Sequence, residues 1–203
     1  LFVGGKLNNT EFTQMNEQFI ESMGNIMLSA LENARLFQEE LQKKRLESEL
    51  SLATEIQRGL LPSVLPTLQG FSCAATSIPS KQVGGDYYDF IHLTDGRLLI
   101  AIADVSGKGM PASLLMANVQ AALRVLAPLH MKLDELVSRI NAIVYNNTSP
   151  DKFVTFFAAL FDPQTSSFTY INAGHNPPFI IRADGRIEEL QCGGIILGIL
   201  ENA

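Results

Sequence analysis

Apolar residues recur at Ile20, Met23, Met27, Leu31, Ala34, Phe37 and Leu41, in steps of three and four, which is the period of one helix face. The pattern then skips five residues to Leu46 and resumes at Leu50, Ala53, Ile56 and Leu60, so the stripe rotates near the polar cluster Gln42, Lys43, Lys44 and Arg45. No proline interrupts residues 10–60. Either one helix bends at the cluster or a second begins there. A periodic stretch this long predicts a coiled coil or a domain-connecting helix, about 45 residues spanning roughly 65–70 Å. The competing reading is two ordinary packed helices.

Pro62 and Pro66 end that region, and short strands joined by turns follow. Strands are expected at 71–78 (FSCAATSI), at 87–93 (YYDFIHL) and, after a turn at Asp95-Gly96, at 97–104 (RLLIAIAD), the last two forming a hairpin. The unbroken apolar run 98–103 predicts a strand buried on both faces, with Asp104 as its last residue. Pro111 suits the first turn of a helix running to Ala127 and closed by Pro128. A second helix is expected at 133–147, then strands at 153–162 and 168–174, a loop HNPP, and a hairpin at 179–190 turning at Asp184-Gly185. Strands, two consecutive helices and strands again define an α+β layered domain with mostly antiparallel pairing.

Across 203 residues, 46% are hydrophobic and 18% charged, enough for one cored domain and a fragment of a second. Fifteen Lys and Arg against 21 Asp and Glu give a net charge of −6, which excludes the basic field a nucleic-acid partner requires. Cys73 and Cys192 are far apart without CxxC spacing, so neither a zinc site nor a disulfide framework is expected, and both are read as buried free thiols of a reducing compartment. The sequence lacks an apolar run of about 18 residues and a signal-peptide pattern, so no membrane span is expected in this segment and the expected location is cytoplasmic. The opening LFVGGKLNN carries no initiator Met and reads as the end of a strand, the expectation being a piece of a longer protein.

Two acidic glycine motifs carry the candidate chemistry: VGGDYYDF at 83–90 and DVSGKGMP at 104–111. Asp86 follows two glycines whose backbone turns freely, and Asp104 ends a buried strand, fixed yet reachable. Such carboxylates suit hard divalent cations such as Mg²⁺ or Mn²⁺, whereas His92, His130 and His175 have no zinc-site spacing. Either aspartate alone reads equally as a turn or cap residue. The hairpin between them can carry both to one end of a sheet. Rival chemistries fail in the text. A cysteine phosphatase needs Arg six positions after Cys, where this chain has Pro79 and Gly198. The P-loop pattern lacks its first glycine at Ile102, and no GxSxG elbow exists. GGDYYDF resembles the GGDEF signature of diguanylate cyclases, but Tyr87 stands where that signature has Glu.

The ordered set EIQRGLLP, VGGDYYDF, IADVSGKGMPASLLMA, FVTFFAALFD and YINAGHNPP, spread over 55–178, resembles the bacterial PPM-type serine/threonine phosphatases of the SpoIIE and RsbU kind. Residues 1–40, with LENARLFQEE the clearest part, resemble the last strand and helix of a GAF sensor domain; 41–66 then form a helical linker and 67–203 the phosphatase-like domain. The resemblance implies a four-layer αββα sandwich, two Mn²⁺ or Mg²⁺ ions, and hydrolysis of phosphoserine or phosphothreonine on an anti-sigma-factor antagonist of STAS type. By position it implies that Asp86 ligates one metal, that Asp104 bridges both, and that the Val105 carbonyl completes part of the second site. Asp89 is a second-shell partner or a strand-end residue, Lys108 a phosphate contact or a solvated lysine, and His175 a proton donor or a turn-stabilising histidine. Asn172 and Asn176 are read as turn residues. The family's later acidic segment, with a DG motif and a further aspartate, has no counterpart before Ala203, so weak metal binding and little activity are expected of this stretch alone. A homodimer through the N-terminal helix is expected, with a signal from the N-terminal domain shifting the helices at 111–127 and 133–147. An inactive, helix-linked interaction module of the same fold and a GGDEF-like cyclase remain as alternatives.

Overall fold

The computed structural model describes residues 4–5 and 10–201. The GAF-like strand expected at the very start lies outside the described residues, apart from Gly4 and Gly5. Gln14–Leu60 forms α1, one continuous helix of 47 residues. Thr13 and Asn16 cap it reciprocally: the Asn16 N–H donates to Thr13 Oγ1 and the Thr13 N–H to Asn16 Oδ1. The polar cluster does not break the helix, because ion pairs one turn apart run along it, Lys44–Glu40 at 2.9 Å and Arg45–Glu49 at 3.1 Å. Much of the apolar stripe is open to solvent, with Leu31 and Phe37 69% and 61% exposed.

The chain divides into two compact units, Leu1–Glu49 and Leu50–Ala203. In the second, a five-stranded sheet has the order β1 (Tyr87–His92), β2 (Leu98–Val105), β3 (Val154–Asp162), β4 (Ser167–Ala173), β7 (Gly193–Gly194). Every pairing is antiparallel except β4 with β7. Helices α2 (Met110–Leu126) and α3 (Leu133–Asn147) cover one face. On that side Tyr87, Leu99, Ala101, Ala103, Val105, Val154, Phe156 and Ala158 meet Met116, Val119, Leu123, Ile140 and Val144 in one core. The alternation of strand side chains sets this face.

On the opposite face, a two-stranded ribbon of β5 (Phe179–Ile181) and β6 (Ile187–Glu189) packs through Ile180 and Leu190 against Phe157, Ala159 and Tyr170. Helices, sheet and ribbon supply three layers of the expected α+β sandwich among the described residues. The ribbon's outward side chains Phe179, Ile181 and Ile187 are all more than 60% exposed.

Three expectations need correction. Residues 71–78 form no strand beyond a bridge between Leu68 and Phe71; the stretch has few large apolar side chains, and Ile78 is exposed. Strand β2 is not buried on both faces: Ile102 points away from the helices and is exposed, beyond the reach of the short ribbon. Neither cysteine is buried: Cys73 is half-buried, and Cys192 is exposed on the loop entering the edge strand β7. Residues 110–129 also have the length and hydropathy of a membrane-spanning helix, by length and composition alone. Their buried face and the pairing of Arg124 with buried Asp89 make α2 a core helix of this domain.

Candidate active site

Tyr87 pairs with Ala103, so one step further Asp86 stands opposite Asp104, and Asp104 in turn pairs with Thr155. The sheet register alone therefore lines up two carboxylates and a hydroxyl at one end, on the face away from the helices. Gly85 makes this approach possible. A Cβ there would sit 2.9 Å from the Val105 carbonyl oxygen, 3.0 Å from Val105 Cβ and 3.2 Å from Ala112 Cβ, so a side chain would push the strand entry off the site. Gly84 is clasped by Gln57 of α1, whose Nε2 donates to the Gly84 carbonyl at 2.6 Å and whose Oε1 accepts from the Gly84 N–H at 3.0 Å. Thr54 Oγ1 donates to the Gln82 carbonyl at 2.9 Å. The exit of β2 is fixed as well: the Ser106 N–H donates to the Phe153 carbonyl, and Ser106 Oγ accepts from the Phe153 N–H.

A cleft of about 370 Å³ lies between these segments, lined by Asp86, Asp104, Val105, Ser106, Lys108 and Thr155 among others. Burial raises the Asp86 carboxyl above the ordinary carboxylate range; the charge and hydrogen bond of Asp104 raise it further, with His175 opposing. Two carboxylates pressed together in this way call for positive charge between them.

His175 lies beside the cleft, against its wall residue Thr155. Its Nδ1 lies 2.8 Å from Thr155 Oγ1, which is also 3.4 Å from the Asp104 carbonyl oxygen. Asn172 holds the backbone of His175 at both ends, accepting its N–H at 2.7 Å and donating Nδ2–H to its carbonyl at 3.0 Å. Between them Gly174 has φ +67° and no room for a Cβ beside Ile196, so the turn requires glycine. Burial lowers the imidazole below its ordinary value, against the charges of Asp104 and Asp86.

The structure thus brings Asp86, Asp104, Val105 and Lys108 to one cleft, with His175 beside it. Asp89 is not there. It is fully buried on the helix side of β1, where it accepts Tyr87 Oη–H at 2.6 Å and a bidentate pair of bonds from Arg124 at 2.7 and 2.9 Å. Of its two readings, the structure supports neither a cleft partner nor a plain strand-end residue: it is the buried anchor of α2. Sequence reasoning missed Thr155, Gln57 and Arg124. Gln57 lies inside EIQRGLLP, but its helical position carried no hint of a loop contact. The strand alternation could have put Thr155 on the face of Asp104.

Asp86, Asp104 and the Val105 carbonyl form an all-oxygen donor set, the kind hard divalent ions select. The close approach of Gly85 to that carbonyl keeps the donors together. Among the described residues, no group of three or more His, Cys, Asp or Glu side chains is placed to hold an ion, so the donors here are two carboxylates and a backbone oxygen. They fit part of a Mg²⁺ or Mn²⁺ site.

Residues 94–203 match the family Stage II sporulation protein E (SpoIIE). Phosphoserine phosphatase RsbU of Bacillus subtilis (strain 168) is 33% identical over 161 residues, 79% of this chain and 48% of that protein, so the chain spans about half the length of this relative. Among solved structures, the RsbU and RsbW domains of a Mycobacterium tuberculosis protein align with a TM-score of 0.54 at 27% identity, covering 61% of this chain and 34% of that one. The SiaA-PP2C domain of Pseudomonas aeruginosa aligns with a TM-score of 0.64, covering 79% of this chain and 66% of that one; at 18% identity it speaks for the fold alone. With the motif order, the sheet and the family match in agreement, the chain belongs to the SpoIIE family of PPM-type phosphatase domains.

Proposed function

We propose that this chain carries the catalytic centre of a metal-dependent protein serine/threonine phosphatase that acts on a phosphorylated anti-sigma-factor antagonist of STAS type. The observation that carries the reading is the register-defined meeting of Asp86 and Asp104 beside the Val105 carbonyl, in a cleft open to a phosphoryl group. The relative in Bacillus subtilis is a phosphoserine phosphatase by name, and the Mycobacterium tuberculosis structure joins an RsbU domain to an RsbW domain. Both support a substrate in sigma-factor control.

Asp86, Asp104 and the Val105 carbonyl would hold Mn²⁺ or Mg²⁺. When bound, such ions activate a water and neutralise phosphoryl charge. Lys108, exposed at the rim, supplies a cation for phosphoryl oxygens arriving from solvent. His175, held at Nδ1 by Thr155, keeps its Nε2 for the departing serine oxygen. No side-chain nucleophile is required. The test is Mn²⁺-dependent release of phosphate from a phosphorylated STAS protein by the full-length protein. Loss of release in Asp104→Asn is expected, and activity unchanged by that substitution would refute the reading.

The exposed apolar stripe of α1 supports a second element, a homodimer through this helix. Because Gln57 clasps Gly84, a change in α1 that moved Gln57 would move the chain entering Asp86 and so reach the cleft. Light scattering of the full-length protein should give a dimer, and a monomer at high concentration would remove this element. Two unpaired cysteines support a cytoplasmic location.

A further inference from the structure

A second groove, of about 340 Å³, adjoins the cleft: Val105 and Ser106 line both. It runs between the first turns of α2 and the segment 147–152 that joins α3 to β3. Pro111, Leu114 and Asn118 lie three and four residues apart on one ridge of α2 and form one wall. That ridge is not the core face of the helix, which uses Ala112, Leu115, Met116, Val119 and Leu123. Leu114 is 65% exposed. In the same wall, Asn118 Oδ1 is shielded from solvent and has no hydrogen-bond partner, which holds for no other buried side-chain nitrogen or oxygen among the described residues. A carbonyl oxygen in that position is unfavourable until a donor reaches it.

We infer that this groove takes the polypeptide flanking the phosphorylated residue of the substrate, in extended conformation. A phosphoserine seated over Asp86 and Asp104 must lead its chain away from the cleft, and the groove is the surface that borders it at Val105 and Ser106. An extended chain presents backbone N–H groups and alternating side chains. A turn of the half-buried Asn118 amide about its Cβ–Cγ bond presents Oδ1 to one N–H, and a neighbouring apolar side chain covers Leu114 and Pro111. The cleft then recognises the phosphate, and the α2 ridge recognises the protein that bears it.

The inference rests on the phosphatase reading, and two substrates separate the failure of one from that of the other. Full-length protein with Mn²⁺ is assayed on p-nitrophenyl phosphate, which fills only the cleft, and on a phosphorylated STAS protein. Leu114→Asp and Asn118→Leu should leave kcat/KM on the small substrate unchanged and lower it about tenfold or more on the phosphoprotein, the weight of one lost contact. Asn118→Asp, which keeps an acceptor, should restore most of the loss. Unchanged phosphoprotein kinetics in both variants, or equal losses on the two substrates, would overturn the groove while leaving the phosphatase reading in place. A wild-type protein that hydrolyses neither substrate would overturn both.

Discussion

Replacing Arg124 by Met tests how α2 is fastened to the sheet. The Met side chain keeps much of the apolar stem packing and removes only the guanidinium. Asp89 is fully buried and accepts from Arg124 Nε and Nη2, from Tyr87 Oη–H and from the Phe90 N–H. Without the guanidinium, a buried carboxylate keeps two neutral donors and no counter-charge, a change that typically costs about 3–5 kcal/mol. The reciprocal variant Asp89→Asn leaves a guanidinium that is 47% exposed and can rehydrate, so its loss should be about 1.5–3 kcal/mol, that of hydrogen bonds to a charged group. Urea unfolding of metal-free protein at pH 7 reads these numbers. Mn²⁺ affinity should be preserved in the Asp89 variant, since that residue faces the helices and the cleft lies on the other face. A loss for Arg124→Met below about 1 kcal/mol would refute the reasoning.

Three further outcomes are expected. Gly85→Ala places a methyl 2.9 Å from the Val105 carbonyl oxygen and should lower stability by about 1–3 kcal/mol, together with Mn²⁺ affinity measured by calorimetry; a variant that binds Mn²⁺ like wild type would contradict the close approach. Asp86 is raised by burial and by Asp104, so its ionised form weakens the metal-free fold above the raised value and ceases to do so below the ordinary one. Asp86→Asn should then stabilise the metal-free fold in EDTA at pH 7, by roughly 1 kcal/mol, the size of a like-charge contact in a water-like medium, with a higher melting temperature and the gain fading in acid; a lowered melting temperature counts against the pair. His175 is lowered by burial, so the fold binds fewer protons than the unfolded chain just below the ordinary histidine value, and wild-type stability falls as pH drops through that window. His175→Gln should flatten this slope, and a slope that persists would place its origin elsewhere.

The hairpin, the two helices and the later strands were legible because each is marked by its own period and punctuation. Asp95-Gly96 and Asp184-Gly185 turn where expected, and Pro111 lies in the first turn of α2. Residues 71–78 were misread because β-branched and aromatic residues at their ends suggest a strand, while pairing depends on a neighbour the local sequence cannot show. The partial exposure of β2 follows from the size of the ribbon on its far side, again a non-local fact. Gln57 and Arg124 escaped for the same reason: each acts on a residue 27 or 35 positions away.

The placement of Asp89 differs, because the sequence contained the answer. Asp86 and Asp89 are three residues apart, and an extended chain sends positions of odd separation to opposite faces. Once the run 98–103 is paired with 87–92 in a hairpin, Asp86 falls opposite Asp104 on one face, while Tyr87, Asp89 and Ile91 share the other. A carboxylate on that second face points into the helix layer, where it needs a cation. The helix over it offers Arg124, the only basic residue of α2. Period-two counting therefore assigns one aspartate of VGGDYYDF to the cleft and the other to the core, and a motif that looks like one acidic cluster becomes two sites with the sheet between them.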